Sequence, residues 1–500
     1  MLGFNLKTTD KKITMKNILA LFSILSLVFL TACDEDLLLT PPSSLSIENF
    51  FQNEEDAQSA VNGMYAQMRS VANSMYLYGD WRGDHTEQTD LGTGSDVIRN
   101  QLKDDVGGTD WGAFYALIND ANLIINLVPD IEFVNEEEKN NLLAQAYFVR
   151  AWAYYQIVRI WGDAPLLTKG FLSPSQEGIV PGQRDPAGQL FAQIKADLES
   201  ALNNFAGDEI SDRYAASRPA ANTLKADVYL WTAKKEGGGA ADLNSALEAA
   251  NQVIGHSNLE LVPFETLFRT TTATKSDIFS LYRDVIEPGW QPWYRNYMLQ
   301  IQNYVSLSDE DKERIPLMVG GARFYAPTQI LKDQFAENAN LGNGEEDVRL
   351  GITVQDYDFN GEPRAHLLKF IGDPGIEANE YTDDFKIYRY ADAILMRAEI
   401  QNALGKPGDA VADLNMTRNR GGIGDYAGGM SQQEVDDAIL LERAVEFAFE
   451  AKRWWDLVRF DKAYELVPSL IGRENEQPIL WPISQNTMAL NPNLKQTPGY

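Results

Sequence analysis

The sequence predicts a mainly α protein: a stack of helical repeats interrupted by one irregular, partly β insertion. Two observations carry this reading. Long segments place apolar residues at steps of three and four, before His256 and again after Asp384. Between those positions the period fades while Pro, Gly and aromatic residues increase.

The chain starts with a different kind of segment. Ile18 to Leu30 is apolar apart from Ser23 and Ser26, and Lys11, Lys12 and Lys16 precede it. At thirteen residues it falls short of the roughly 18 that a membrane-spanning helix needs. It fits the core of a secretory signal, with either Met1 or Met15 as its start. Leu30-Thr31-Ala32-Cys33 closes the run with an apolar residue, two small ones and the only cysteine of the chain. This order resembles the bacterial lipobox, so residues 1–32 are expected to be a cleaved signal and Cys33 the lipidated N-terminus. More than one acyl chain anchors a protein stably. Asp34-Glu35-Asp36 follows, and then "LLLTPPSSLS", which reads as an extended spacer.

Helical elements begin near Glu48. In "NNLLAQAYFVRAWAYYQIVRIWG" one stripe runs Leu142, Ala146, Val149, Ala153, Ile157, Ile160, and Leu143, Tyr147, Ala151, Tyr154, Val158, Trp161 form a second. A helix apolar on two flanks is packed on both sides. "RDPAGQLFAQIKADLESALNNF" suggests Asp185 as N-cap and Pro186 as first helical residue. "DLNSALEAANQVIG" is expected to start at Asp242 and stop at Gly255. These segments make up an N-terminal part, 33–255, beside a long glycine- and acid-rich loop at 73–110.

The C-terminal part, 256–500, opens with the irregular insertion 256–384. Asn360-Gly361 between alternating segments predicts a β-hairpin. The same stretch, "DYDFNGEPRAHL", opens like a calcium loop but has Leu367 where glutamate is needed, so the hairpin is preferred. "IYRYADAILMRAEIQNALGKPGDAVADLNMTRNR" is a helix, a turn at Gly405 to Asp409 and a second helix. Leu404-Gly405 followed by Ala410 resembles a tetratricopeptide hairpin, and such hairpins stack to bury their faces. "EVDDAILLERAVEFAFEAKRWWDLVRF" adds another helix.

The formal charge is −29, near −32 once the net +3 of residues 1–32 is set aside. Such a surface repels phosphate backbones and argues against nucleic acid. One cysteine allows no intrachain disulfide. The three histidines, His85, His256 and His366, are far apart, and no metalloprotease, phosphate-loop or nucleophile-elbow motif occurs. No cofactor, metal site or catalytic group is expected.

Several segments together resemble the SusD/RagB family of outer-membrane lipoproteins. They are "FFQNEEDAQSAVNGMYAQMR", "WGAFYALINDANLIINLV", "LLAQAYFVRAWAYYQIVRIWGDAPLL", "YRYADAILMRAEIQNALG", "LNMTRNRGGI", "LLERAVEFAFEAKRWWDLVRF" and the terminal "ILWPISQNTMALNPNLKQTPGY". The resemblance covers most of the chain after Cys33. It implies a lipid-anchored, surface-exposed outer-membrane protein that captures a glycan and hands it to a SusC-like TonB-dependent transporter without catalysis. It also implies that the acids after Cys33 resemble a surface-export signal.

Sugar rings need flat apolar faces with hydrogen-bonding neighbours. Two irregular stretches offer them. "MYLYGDWRGDHTEQTD" supplies Trp81 and Asp84, and "EPGWQPWYRNYMLQIQNY" supplies Trp290, Trp293, Tyr294 and Tyr297. These six are the expected glycan-binding residues. Trp152, Trp161, Trp231, Trp454 and Trp455 lie in helical stripes and are expected to pack. A helical-repeat scaffold that binds protein or peptide, and less favourably a surface hydrolase, are the competing readings.

Overall fold

Asn53 opens the first helix, α1 (Glu54–Ala72), with a capping box: its side chain accepts from the Asp56 N–H while Asp56 reaches back to the Asn53 N–H. Three acids in the first turn, Glu54 to Asp56, add to the favourable dipole interaction. The computed structural model describes residues 50–92, 95–172, 182–283, 293–318, 320–372 and 381–500. Cys33 and Trp290 lie outside these.

Next come α2 (Gly112–Leu127) and α3 (Glu136–Trp161). From Leu142 onward α3 is buried on nearly every side, with α2 and α4 (Ala187–Asn204) packed against it. This is the two-sided packing that its double stripe predicts. It ends at Gly162, whose φ of +76° suits glycine. Asp185 does not cap α4; its carboxylate accepts the Leu166 N–H (2.8 Å), and Pro186 stands at the N-cap position. α5 (Arg218–Lys235) and α6 (Gly239–Ile254) form the following hairpin. Asp242 sits inside the first turn of α6 rather than at its start, because its carboxylate is taken by Lys195 (2.8 Å) and Thr232 (2.5 Å).

The inserted stretch is less irregular than its sequence suggests. It contains several helices of one or two turns, a longer helix α7 (Gln329–Asn340), and small two-stranded pairings. β1 (Thr86–Gln88), from the early loop, pairs antiparallel with β3 (Tyr325–Pro327), and β2 (Asp277–Leu281) pairs with β6 (Phe385–Arg389). β4 (Val354–Phe359) and β5 (Glu362–Leu367) form the expected hairpin, with Asn360 and Gly361 at φ +57° and +85° in its turn. Among the described residues no group of acids, histidines or cysteines could hold a metal ion.

α8 (Tyr390–Ala403) continues directly from β6 and pairs with α9 (Pro407–Arg420). α8 packs on α5 and α6, so the repeat stack resumes across the insertion. α10 (Gln432–Glu446), capped by a Ser431–Glu434 box, and the short α11 (Arg453–Arg459) complete it. Residues Phe51–Tyr500 form one unit, and its main apolar core draws residues from Ala57 to Leu494.

Two features tie distant parts of this unit together. The first is a buried ion network. Arg349 pairs with Asp347, Glu442 and Glu446; Arg389 with Glu446 and Glu450; Arg420 with Glu446; and Lys369 with Glu450. The second is the C-terminal segment, which lies against the first half. Arg82 donates to the carbonyls of Pro478 (2.9 Å) and Ile479, and Trp161 Nε1 donates to Pro482 O (3.1 Å). The Trp481 N–H meets Ile160 O (2.7 Å), and Arg184 reaches Lys495 O (3.1 Å). Trp152, Trp161, Trp231, Trp454 and Trp455 are all buried, as their helical spacing predicts.

Candidate functional site

The two aromatic stretches, more than 200 residues apart in sequence, meet in space. The first folds as a one-turn helix, Met75–Gly79, followed by turns; the second is a 3-10 turn, Trp293–Tyr297. Gly79 lets the first stretch lie close against the backbone of Ala451, since a Cβ there would stand 1.9 Å from Ala451 O. Trp81 Nε1 donates to Tyr297 Oη (3.1 Å), which also pairs with Thr86 Oγ1 (2.8 Å). Tyr76 stacks on Trp293 (5.2 Å between centroids) and meets Trp81 edge-on (4.7 Å). Tyr294 stacks on Phe370 (5.2 Å), and Tyr297 packs edge-on against Phe449 (5.3 Å).

The cluster is interior. Trp81, Trp293, Tyr294 and Tyr297 are 6, 5, 3 and 1% exposed, so their faces cover one another rather than standing open as a platform. The cause is the tertiary fold, which lays Phe370 and Tyr325 of the insertion, and Phe449 from just past α10, against rings that the local sequence leaves uncovered. Asp84 is likewise committed. Arg453 grips both its oxygens (2.7 Å each), and Gln334 Nε2 donates to Oδ2 (3.0 Å). Burial alone would raise the Asp84 pKa, but Arg453 and the neighbouring His85 hold it well below the usual carboxylate range.

Trp293 and Tyr294 do border a cavity, with Asn73, Arg283, Asp383 and Asp384 among its other walls. Strand pairing sets this arrangement, because Arg283 lies just past β2 and the two aspartates just before β6. Asp384 is fully used: Oδ1 accepts the Arg283 N–H (2.9 Å) and Oδ2 the Tyr214 hydroxyl (2.8 Å). Asp383 Oδ2 has no hydrogen-bond partner among the described residues. Burial pushes Asp383 up to about 7 and Asp384 to about 6. Around this pair stand half-buried Tyr381, beside Tyr294 (5.6 Å), and exposed Tyr282, edge-on to Tyr214 (5.1 Å). Aromatic rings next to an unspent carboxyl oxygen can cover a sugar face and accept from its hydroxyl. The signal for this part was "YTDDF" (381–385), a tyrosine and two acids directly before an apolar strand.

A stack of helical hairpins interrupted by an insertion of short helices and small strand pairs is the architecture of the SusD fold. Residues 39–230 match a family model described as starch-binding associating with outer membrane, and residues 323–500 match that of the SusD family. The chain belongs to the SusD/RagB family. Among similar proteins, SusD-like protein P38 of Formosa agariphila is 29% identical over 523 residues, covering 97% of this chain and 99% of the relative. A SusD-like protein of Bacteroides ovatus is 25% identical over 481 residues, covering 89% of this chain and 83% of the relative. The structure of B. fragilis NanU superposes with a TM-score of 0.77 at 25% identity, covering 92% of this chain and 100% of NanU. Glycan binding in association with the outer membrane is thus the family's character.

Proposed function

We propose that this protein is a non-catalytic, lipid-anchored surface protein that holds a glycan at the rim of the Asp383–Trp293 cavity. It then passes the glycan to a SusC-like TonB-dependent transporter. The observation that carries the reading is the unspent Asp383 oxygen in a cavity walled by Trp293 and Tyr294 and neighboured by Tyr282 and Tyr381. Helical faces are consumed by packing, α3 most completely, which favours a binding surface on the inserted segments and weighs against a helical peptide groove. Two adjacent acids with raised pKa values could instead serve a glycoside hydrolase. Both Asp384 oxygens are hydrogen-bonded, which leaves one carboxyl where that chemistry needs two, so binding is the better reading. A glycan array tests capture, and a product assay on the bound glycans tests hydrolysis. Binding without products supports the reading, and released sugars overturn it.

Trp81 and Trp293 are poor probes of sugar stacking, because removing a buried Trp costs about 3–5 kcal/mol of stability. Tyr282→Ala and Tyr381→Ala are the informative variants. Each removes a partly accessible ring worth roughly 1.5 kcal/mol of contact, so glycan affinity falls about tenfold in calorimetry with the melting temperature held. Undiminished binding in both would remove the rim from the site.

Signal cleavage before Cys33 and lipidation of its thiol belong to the same proposal. Among the described residues no helix is long and apolar enough to cross a membrane. Cys33→Ala is expected to leave the protein unlipidated and lost from the outer-membrane fraction. A wild-type mature N-terminus without lipid, by mass spectrometry, would refute the anchor. Affinity isolation in mild detergent checks the partner and is expected to recover an outer-membrane barrel.

A further inference from the structure

A second cavity, of ≈ 320 Å³, lies where the ends of α3 and α5 meet the C-terminal segment. None of its lining residues belongs to the aromatic cavity. Val158, Trp231, Val458, Leu480 and Pro498 give it apolar walls, and Arg159 and Arg184 contribute guanidinium groups.

Arg159 is the unusual member. It is only 7% exposed and lies over the rings of Tyr155 (3.9 Å), Trp455 (4.5 Å) and Trp231 (5.6 Å). Its one hydrogen bond among the described residues runs from Nη2 to the neutral Gln156 Oε1 (2.6 Å), and its Nε is buried without a partner. Arg82 shows how this protein otherwise buries a guanidinium without an ion pair. Each of its nitrogens reaches an acceptor: Asn100 Oδ1, Ile479 O and Pro478 O. A buried donor without a partner is destabilising, and more so when charged. Arg159 also borders a smaller cavity of ≈ 60 Å³, in which Arg443 Nη1 and Trp455 Nε1 are buried without partners as well. Arg184 brings a second cation whose partners are all neutral, namely Trp161 O, Asp163 O, Lys495 O and Thr497 Oγ1.

We propose that this cavity binds a small organic monocarboxylate with an apolar body. The carboxylate would sit on Arg159, with Arg184 at its side, and the body against Trp231, Val458 and Leu480. The volume and the apolar walls select an organic molecule over a bare inorganic ion. Asp163 and Glu236 also line the cavity and are exposed, and the one further cation there, Lys235, is paired with Asp461, so the lining disfavours a second negative charge on the ligand. Guanidinium prefers carboxylate for its matching two-point geometry.

Benzoate and its uncharged counterpart benzamide are the probes, titrated into the detergent-solubilised full chain by calorimetry and ligand-observed NMR. Benzoate is expected to bind in the millimolar range or tighter, with benzamide at least about tenfold weaker. Arg159→Gln should weaken benzoate at least about tenfold and leave benzamide unchanged. Ala187→Phe, which fills the cavity from its wall and spares Arg159, should abolish binding of both. Equal affinity for the two probes overturns the proposal, as does no benzoate binding at about 10 mM. If Arg159→Gln fails to fold, benzoate binding that survives in Ala187→Phe overturns it equally.

Discussion

Glu446→Gln is expected to destabilise the fold by about 3–5 kcal/mol, the cost of breaking a buried ion pair by removing one partner. Glu446 is fully buried, and Arg349, Arg389 and Arg420 all converge on it. The glutamine keeps the shape and removes the charge, so three guanidinium groups lose the carboxylate they share. Burial alone would raise the Glu446 pKa, but Arg420, Arg389 and Arg349 outweigh it and hold the carboxyl well below the usual range. Glu450 and Glu399 follow the same pattern, each reaching about 2 against burial, the first through Arg389 and Lys369, the second through Arg459 and Lys234. A depressed carboxyl pKa stabilises the fold above the unfolded value and loses that contribution as pH falls through the folded one. Stability should therefore collapse between about pH 4.5 and 2. Between about pH 4 and 6.5 two opposite effects compete, and because burial also raises Asp384 and Asp120 to about 6 the carboxyls outnumber the histidines, so stability drifts down as pH rises. Asp80 and Asp383, raised by burial to about 7, favour lower pH, while His85 and His366, lowered by burial to about 4, favour higher pH. Denaturant unfolding across pH checks both parts. A Glu446→Gln loss under about 1 kcal/mol would show that the arginines do not depend on this carboxylate.

Asp84→Ala should cost a similar amount, about 3–5 kcal/mol, because it strands Arg453, which is 3% exposed. The sequence suggests a sugar ligand at this position, and the structure gives Asp84 a different partner. The two roles separate cleanly by experiment. A structural Asp84 lowers the melting temperature whether or not glycan is present, and the folded fraction binds glycan normally. A variant with wild-type stability and lost glycan binding would restore the ligand role. The double variant Asp84→Ala, Arg453→Met should recover part of the loss, since it removes the stranded charge.

Much of this architecture was legible from local sequence, for a physical reason. Helix and hairpin signals, such as the double stripe of α3 and the Asn360-Gly361 turn, are set by residues three, four or two positions apart. Both aromatic stretches stood out in the sequence as sugar-binding candidates, but their meeting in space, with Trp81 and Tyr297 in direct contact, is supplied by the tertiary fold. Burial was not legible, because Trp81 is covered by Tyr325 (4.3 Å) and Trp293 by Phe370 (5.4 Å), partners that only the tertiary fold supplies. For the same reason the Arg453 that neutralises Asp84 lies 369 residues away. Asp383 and Asp384 carry only the weak local signal of "YTDDF", which does not stand out in an acidic chain, and it is β6 pairing with β2 that brings them to Arg283.

The attachment of residues 478–497 to the first half of the fold has a consequence for how the chain is made. Trp161, Arg82 and Arg184 cannot complete their hydrogen bonds until Pro482, Ile479 and Lys495 have left the ribosome, more than 300 residues later. Contacts of such long range form slowly, since the entropy of closing the loop is lost before any contact compensates it. The helical hairpins of the first half, whose contacts are local, can therefore form before these ties to residues 478–497 are made.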